Sequence, residues 1–290
     1  MTFSIIIPAF NSIKYIGNCL DSIFSQRPSE TEVILVDNGS VDSTPDFVRK
    51  RYPEAILIRN EKNAGSSQAR NQGAAASKGK YIMFMDSDAY LKENFFTHLK
   101  DILDKLPLDI CGIAPLILKA GSDKIFSCGL SISPIYRVRD IGAGRNKTEF
   151  NDPFPVDGPN SCCAIFRREA LSKAWTERGC FDEDFFFLFE DTDLAIRLKE
   201  AGYRSLFMPE LVCHHHGNGS NTSRQIRRYL CFRNRIYMIM KNIKKERILS
   251  FIFRSGVYDF FRILHFAATN RYFARFIKDL RKKNETAHHL

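Results

Sequence analysis

The sequence predicts an α/β fold: a Rossmann-like, mainly parallel sheet flanked by helices, followed by a basic helical extension. Two observations carry this. Through the first hundred residues, short apolar runs of strand length alternate with longer helical patterns, and that alternation implies parallel strands joined by right-handed crossovers. Charge is also segregated. From Arg224 to Lys283 there are 17 Lys/Arg against Glu246, Asp259 and Asp279, while residues 1–223 hold 26 basic and 29 acidic residues, so the tail alone makes the 290-residue chain basic, with a net charge of +10.

The elements follow in order. Phe3 to Ile7 reads as a strand stopped by Pro8, and Ile13 to Ser25 as a helix with Ile13, Ile16, Leu20, Ile23 and Phe24 on one face. Glu32 to Val36 is a second strand, ended by the turn Asp37-Asn38-Gly39-Ser40, with a helix near Thr44 to Lys50. Ala55 to Ile58, the Ala-rich helix Gly65 to Ser77 and the strand Tyr81 to Met85 complete a β-α-β-α-β-α-β array. Pro8, Asp37, Asn60 and Asp86 then fall at or just after carboxyl ends of strands, the edge where open α/β sheets bind ligands. A helical stretch is expected near Lys92 to Lys105, and strands at Ile110 to Leu118, Ser127 to Ser133 and Cys162 to Phe166. Tyr136 to Pro155 reads as a loop over the site, and Arg168 to Ala174 as a helix. A further helix opens at Glu190 and stops at Gly202.

Two acidic clusters about a hundred residues apart carry the chemistry: Asp86-Ser87-Asp88, and Glu190-Asp191-Thr192-Asp193. A D-x-D at a strand's carboxyl end supplies two hard oxygen ligands for Mg²⁺ or Mn²⁺ carrying phosphates. The plainer reading of Asp88 is a helix N-cap. In the second cluster, acids in a first helical turn are also what the macrodipole favours. Five phenylalanines crowd beside them, however, and such a low-dielectric wall raises a carboxylate toward the range of a useful base. Neither G-x-G-x-x-G after the first strand nor G-x-x-x-x-G-K-[ST] occurs, which argues against dinucleotide oxidoreductases and P-loop triphosphatases. Eight cysteines without C-x-x-C spacing or a preceding secretory leader point to reduced thiols in a cytosolic protein.

In the tail, basic residues are interleaved with Phe251, Ile252, Phe253, Val257, Phe260, Phe261 and Leu264, a mixture suited to helices on an anionic membrane surface or to a helical cap with a solvated basic face. Charged residues interrupt every apolar stretch before it reaches the length of a membrane span. Nucleic-acid binding is not expected, because no nucleic-acid motif accompanies the charge.

Together these residues resemble the family 2 glycosyltransferases of the inverting GT-A fold, in particular rhamnosyltransferase-like members that build cell-surface polysaccharides. The likeness runs in order over about residues 3–242. Its segments are Ile7-Pro8-Ala9-Phe10-Asn11, Val36 to Asp42, Asn63-Ala64-Gly65 with Ala69 to Gly73, Asp86-Ser87-Asp88, Phe181 to Leu194 with Arg197 and Gly202-Tyr203, and Val212-Cys213-His214-His215-His216-Gly217. The resemblance implies a catalytic domain over residues 1–223, with a nucleotide-sugar half to about residue 110 and an acceptor half over 111–223; residues 224–290 form the basic amphipathic extension. It implies donor contacts from Pro8, Ala9, Phe10, Asn11, Asp37, Asn63, Gly65, Arg70 and Asp86, with Asp37 on the uracil or thymine edge. Asp86 and Asp88 would hold Mn²⁺ or Mg²⁺, Asp191 would be the general base, and Glu190 and Asp193 would contact the acceptor. A histidine would complete the metal site; spacing from Val212 favours His214, with His215 and His216 as alternatives. Ser161, where a glycine is expected, and Pro159-Asn160 depart from the pattern.

The activity so implied is transfer from a UDP- or dTDP-sugar to a saccharide or lipid-linked saccharide. The place would be the cytoplasmic membrane face, with peripheral attachment; a homo-oligomer is allowed. The alternatives are a sugar-nucleotide pyrophosphorylase, which would want a Gly-rich basic loop where Pro8 to Asn11 stand, and a non-catalytic saccharide-binding protein docked at the membrane.

Overall fold

A computed structural model describes residues 2–177, 179–217, 219 and 222–287, with side chains through Arg281. In chain order the strands and helices are β1 (Phe3–Ala9), α1 (Ile16–Phe24), β2 (Thr31–Asp37), α2 (Thr44–Arg51), β3 (Ile56–Arg59), α3 (Ser66–Ala76), β4 (Tyr81–Met85), β5 (Ala89–Leu91) and α4 (Phe95–Leu103). Then come β6 (Ile110–Lys119), β7 (Ile125–Ser127), β8 (Leu130–Ile132), β9 (Val138–Asp140), β10 (Phe154–Val156), β11 (Cys163–Arg167), α5 (Arg168–Lys173), α6 (Glu190–Glu200) and β12 (Arg204–His215). Three helices follow: α7 (Arg224–Asn242), α8 (Ile248–Thr269) and α9 (Phe273–Ala287).

The main sheet runs β10-β12-β6-β11-β4-β1-β2-β3, with β5 paired to β12 and β7 to β6. Strands β1 to β4 and the β6/β12 pair are parallel, whereas β11 lies antiparallel between β4 and β6. This is the predicted mainly parallel α/β sheet, and alternation along its strands explains its two cores. Ile5, Ile7, Val33, Leu35, Met83 and Met85 face one core with Leu20, Ile23, Phe95 and Leu99. Ile6, Ile82 and Phe84 face the other with Phe166, Phe181, Leu194 and Leu198. Burial of both faces is what a crossover-built parallel sheet requires.

Several boundaries differ from expectation, each for a local reason. The helix near Lys92 begins at Phe95, after Asn94 in left-handed backbone at φ 63°, and β5 occupies the residues immediately after Asp88. Asp88 is therefore no helix cap. The run Ser127 to Ser133 is split at Gly129, whose φ of 110° breaks it between β7 and β8. The stretch Tyr136 to Pro155 is not one loop: β9 pairs with β8, a 3₁₀ turn spans Lys147–Glu149, and β10 has already begun at Phe154. Strands of three residues are too short for alternation to be read. The longest strand, β12, was not expected. Pro209 breaks its pattern, and its register against β6 shifts between Met208 and Val212.

Contacts divide the chain into two units, Met1–Ile132 with Val138–Ser220, and Ser133–Arg137 with Asn221–Leu290. Within the second, buried Arg235 pairs with Asp259 and donates to the Ile135 carbonyl, tying the short Ser133–Arg137 segment to the helices. Among the described residues no helix is long and apolar enough to cross a membrane.

Candidate active site

The carboxyl ends of β1, β2 and β4 form one polar rim. Asn11, which tolerates left-handed backbone (φ 51°), donates its N–H to Ser40 Oγ at 2.8 Å, and its side-chain oxygen accepts the Val41 N–H at 2.9 Å. Ser12 Oγ lies 2.8 Å from Ser87 Oγ, joining the Pro8–Asn11 loop to the D-x-D turn. Asp37, at the end of β2, is buried and accepts from the Ser40 N–H and from Arg59 Nε, both at 3.3 Å. Asn63 Oδ1 accepts from Asn38 Nδ2 and from the Gly65 N–H, which shapes the entry to α3.

At Gly65 the chain needs glycine for two reasons. Its φ is 92°, and a Cβ there would stand 2.3 Å from the Phe186 carbonyl oxygen. That carbonyl also accepts the Ser67 N–H, so the loop before α6 rests on the start of α3. The loop is strained: Phe186, Leu188 and Phe189 all have positive φ, a concentration that is costly for bulky side chains and typical of functional sites. Its outcome is to present the acids of α6 toward the D-x-D.

Arg70 of α3 joins the two acidic clusters. Only 3% exposed, it donates from Nη1 to Glu190 at 2.6 Å and from Nη2 to Asp86 at 2.7 Å. The residue expected as a donor contact is thus engaged by one carboxylate of each cluster. Glu190 also accepts from Ser66 Oγ at 3.1 Å, while its Oε2 is buried with no hydrogen-bond partner among the described residues. The neighbouring Asp191 accepts the Ser161 N–H at 3.4 Å and the Thr192 N–H at 2.7 Å. Burial, then the charges of Glu190 and Asp140, push its carboxyl up to about 7 against the opposing pull of Arg70. Asp193 does not join this group: it is fully buried and paired with Arg197 at 2.9 Å, one turn along α6.

On the other side, Asp88 accepts the Gly219 N–H at 2.8 Å and lies 3.1 Å from His215 Nε2, which is itself 3.9 Å from Asp86. Burial would raise Asp88, but the His215 bond and charge hold it below the usual carboxylate range; the same bond and charge hold His215 above the usual imidazole value, although burial works against them. The histidine beside the D-x-D is thus His215 and not His214, which stacks on Tyr90 with ring centroids 4.9 Å apart. Adjacent strand residues face opposite ways, so one position along β12 decides between them. His216 packs on Tyr15.

His215 Nε2 is thus within 4 Å of both carboxylates of the D-x-D, and oxygen and imidazole donors of this kind suit Mg²⁺ or Mn²⁺, so the residue types fit a divalent cation. Sequence reasoning missed Cys162, whose thiol, an Asp86 oxygen and a His215 ring nitrogen lie within 4.8 Å of one another. The β4/β11 pairing brings Cys162 there, where its carbonyl accepts the Asp86 N–H. It also missed Asp140, whose β9 strand it read as loop.

A family model described as glycosyl transferase family 2 matches residues 4–175, more than half of the chain. Over 123 residues the chain is 35% identical to the uncharacterized glycosyltransferase EpsJ of Bacillus subtilis, covering 42% of this chain and 35% of that protein. Over 97 residues it is 41% identical to the poly(ribitol-phosphate) beta-glucosyltransferase of Bacillus spizizenii, covering 31% and 15%. The aligned parts are about a third or less of those relatives' lengths. Among solved structures, S. aureus TarS 1-349 is similar with a TM-score of 0.57 at 20% identity, over 85% of this chain and 67% of that one. GalNAc-T7, solved with UDP, GalNAc and Mn²⁺, is similar with a TM-score of 0.63 at 16% identity, over 83% and 48%. At such identities the structures speak for the fold, which is of GT-A type. With the family match over residues 4–175, they establish that this chain belongs to the family 2 glycosyl transferases.

Proposed function

We propose that this protein is a metal-dependent inverting glycosyltransferase, moving a hexosyl or deoxyhexosyl group from a UDP- or dTDP-sugar. The acceptor is a hydroxyl of a saccharide or lipid-linked saccharide in cell-surface polysaccharide synthesis. The site sits at the cytoplasmic face of the membrane, to which the basic C-terminal extension attaches peripherally. The observation that carries the reading is Asp191: a carboxyl pushed up to about 7, next to the Glu190 that Arg70 ties to Asp86 of the D-x-D, where a base for a sugar hydroxyl belongs. Relatives named for teichoic acid biosynthesis and for poly(ribitol-phosphate) glucosylation support the acceptor class. The rhamnosyltransferase likeness of the motifs supports a deoxyhexose.

In this reading Asp37, Asn63 and the Pro8–Asn11 loop line the nucleoside side, and Asp191 accepts the acceptor hydroxyl's proton as the oxygen attacks the anomeric carbon. Attack from the face opposite the departing diphosphate inverts the centre, through an oxocarbenium-like state akin to that of glycoside hydrolysis. Arg70, anchored on Glu190 and Asp86, holds the base side and the donor side in register. Held by Asp86, Asp88 and His215, a divalent cation would neutralise charge growing on the leaving phosphate. Asp191→Asn should lower kcat by about 10²- to 10⁴-fold with UDP affinity near that of the parent. Substantial residual turnover in that variant would remove Asp191 from the base role.

A further inference from the structure

Helices α7 and α8 line an open groove of about 620 Å³ whose lining includes Arg224, Arg227, Arg228 and Arg262, together with Phe232 and Phe266, and no carboxylate among the described residues. Hydrogen bonds orient two of these cations: Arg228 to His265 Nε2 at 2.8 Å and to Thr269 Oγ1 at 3.2 Å, and Arg262 to the Tyr258 hydroxyl at 3.0 Å. The volume is that of a small-molecule site.

Beside it, α8 carries an apolar stripe that faces solvent. Leu249, Ile252, Phe253, Val257, Phe260 and Leu264 recur at three- and four-residue spacing, with Phe253 90% and Leu249 83% exposed. Phe261 is exposed with the stripe and also lines the groove, so the apolar surface runs into the cationic one. A stripe that leads to clustered guanidinium groups matches an amphiphile with an anionic head. A second copy of the chain fits less well, because a two-fold contact through this face would bring two sets of arginines together.

We propose that the groove binds the phosphate of an anionic membrane phospholipid while the α8 stripe lies at the acyl-chain boundary. This deepens, and rests on, the peripheral attachment proposed above, but it does not depend on sugar transfer. The test is flotation of the full chain with phosphatidylcholine vesicles, with and without phosphatidylglycerol. Binding is expected only with phosphatidylglycerol, weakened about 30-fold in the Arg228→Gln, Arg262→Gln double variant. Should that variant melt early, Arg224→Gln, at an exposed side chain, is expected to weaken binding in the same direction.

Equal binding by the parent and by the arginine variants, together with loss in Phe253→Asp, would overturn the headgroup site while leaving membrane attachment standing. No flotation of the parent would overturn both, and a dimer that Phe253→Asp dissociates would reassign the stripe to self-association. Displacement by soluble glycerol phosphate would make the groove a free-phosphate site and overturn the lipid assignment. Because no arm measures catalysis, failure of the transferase reading would appear separately, in the Asp191→Asn assay.

Discussion

At the scale of single residues, the proposed mechanism makes Asp191 the group that sets the pH behaviour. As a base it works only when ionised, so kcat should fall about tenfold per pH unit below roughly 7, where its carboxyl takes a proton. A pH-rate profile without a limb near 7 would contradict this. Stability runs the other way. A carboxyl whose folded pKa is raised binds its proton more tightly in the folded state, so its cost is small by pH 4 and complete above about 7. Asp191→Asn should therefore melt above the parent at pH 8, with the gap closing by pH 4 in parallel thermal scans. For the metal side, His215→Ala should abolish Mn²⁺-dependent UDP binding by calorimetry, whereas His214→Ala should leave it nearly intact, since only His215 reaches the acid pair. Equal effects of the two changes would return the choice to the sequence spacing.

At the scale of elements, the site depends on the loop before α6 lying on the start of α3. Gly65→Ala places a Cβ against the Phe186 carbonyl in a backbone conformation that alanine avoids. We expect a loss of about 1–3 kcal/mol by denaturant unfolding, with kcat/KM falling further than stability alone accounts for. A variant with parent-like stability and activity would show that the loop is not held by this contact. The strain at Phe186, Leu188 and Phe189 has the same meaning. It is sustained by packing on α3 and places Glu190 where Arg70 can bridge it to Asp86. The Pro8–Asn11 loop and the D-x-D turn are linked in a comparable way, through Ser12 and Ser87.

At the scale of the whole molecule, the residues proposed for donor recognition and for the base lie in one unit, and the segregated basic charge lies in the other. If the first unit selects a uridine or thymidine diphosphate, the melting temperature should rise with UDP or dTDP plus Mn²⁺ and stay unchanged with GDP or CMP. At a hundred times the dissociation constant the stabilisation is about 2.7 kcal/mol. A larger shift with GDP would change the nucleotide class without touching the fold.

Alternation of strand and helix patterns predicted the sheet and the edge on which ligands gather, because period and turn chemistry are local properties. The acids Asp86, Asp88, Glu190 and Asp191 were likewise legible, since each stands beside an apolar run or opens a helix. Asp193 was legible as an acid but not as the Arg197 partner it is, because helix phase alone does not tell which acid turns inward. Choosing His215 over His214 needed the register of β12, in which one residue reverses the face. Arg70 needed the packing of α3 against both clusters, and Cys162 and Asp140 needed strand pairings between segments distant in the chain. What the sequence determined by itself is therefore the fold and the kinds of chemical group at the site. Tertiary structure decided which of those groups face one another, because side-chain direction and long-range pairing are properties of the assembled sheet.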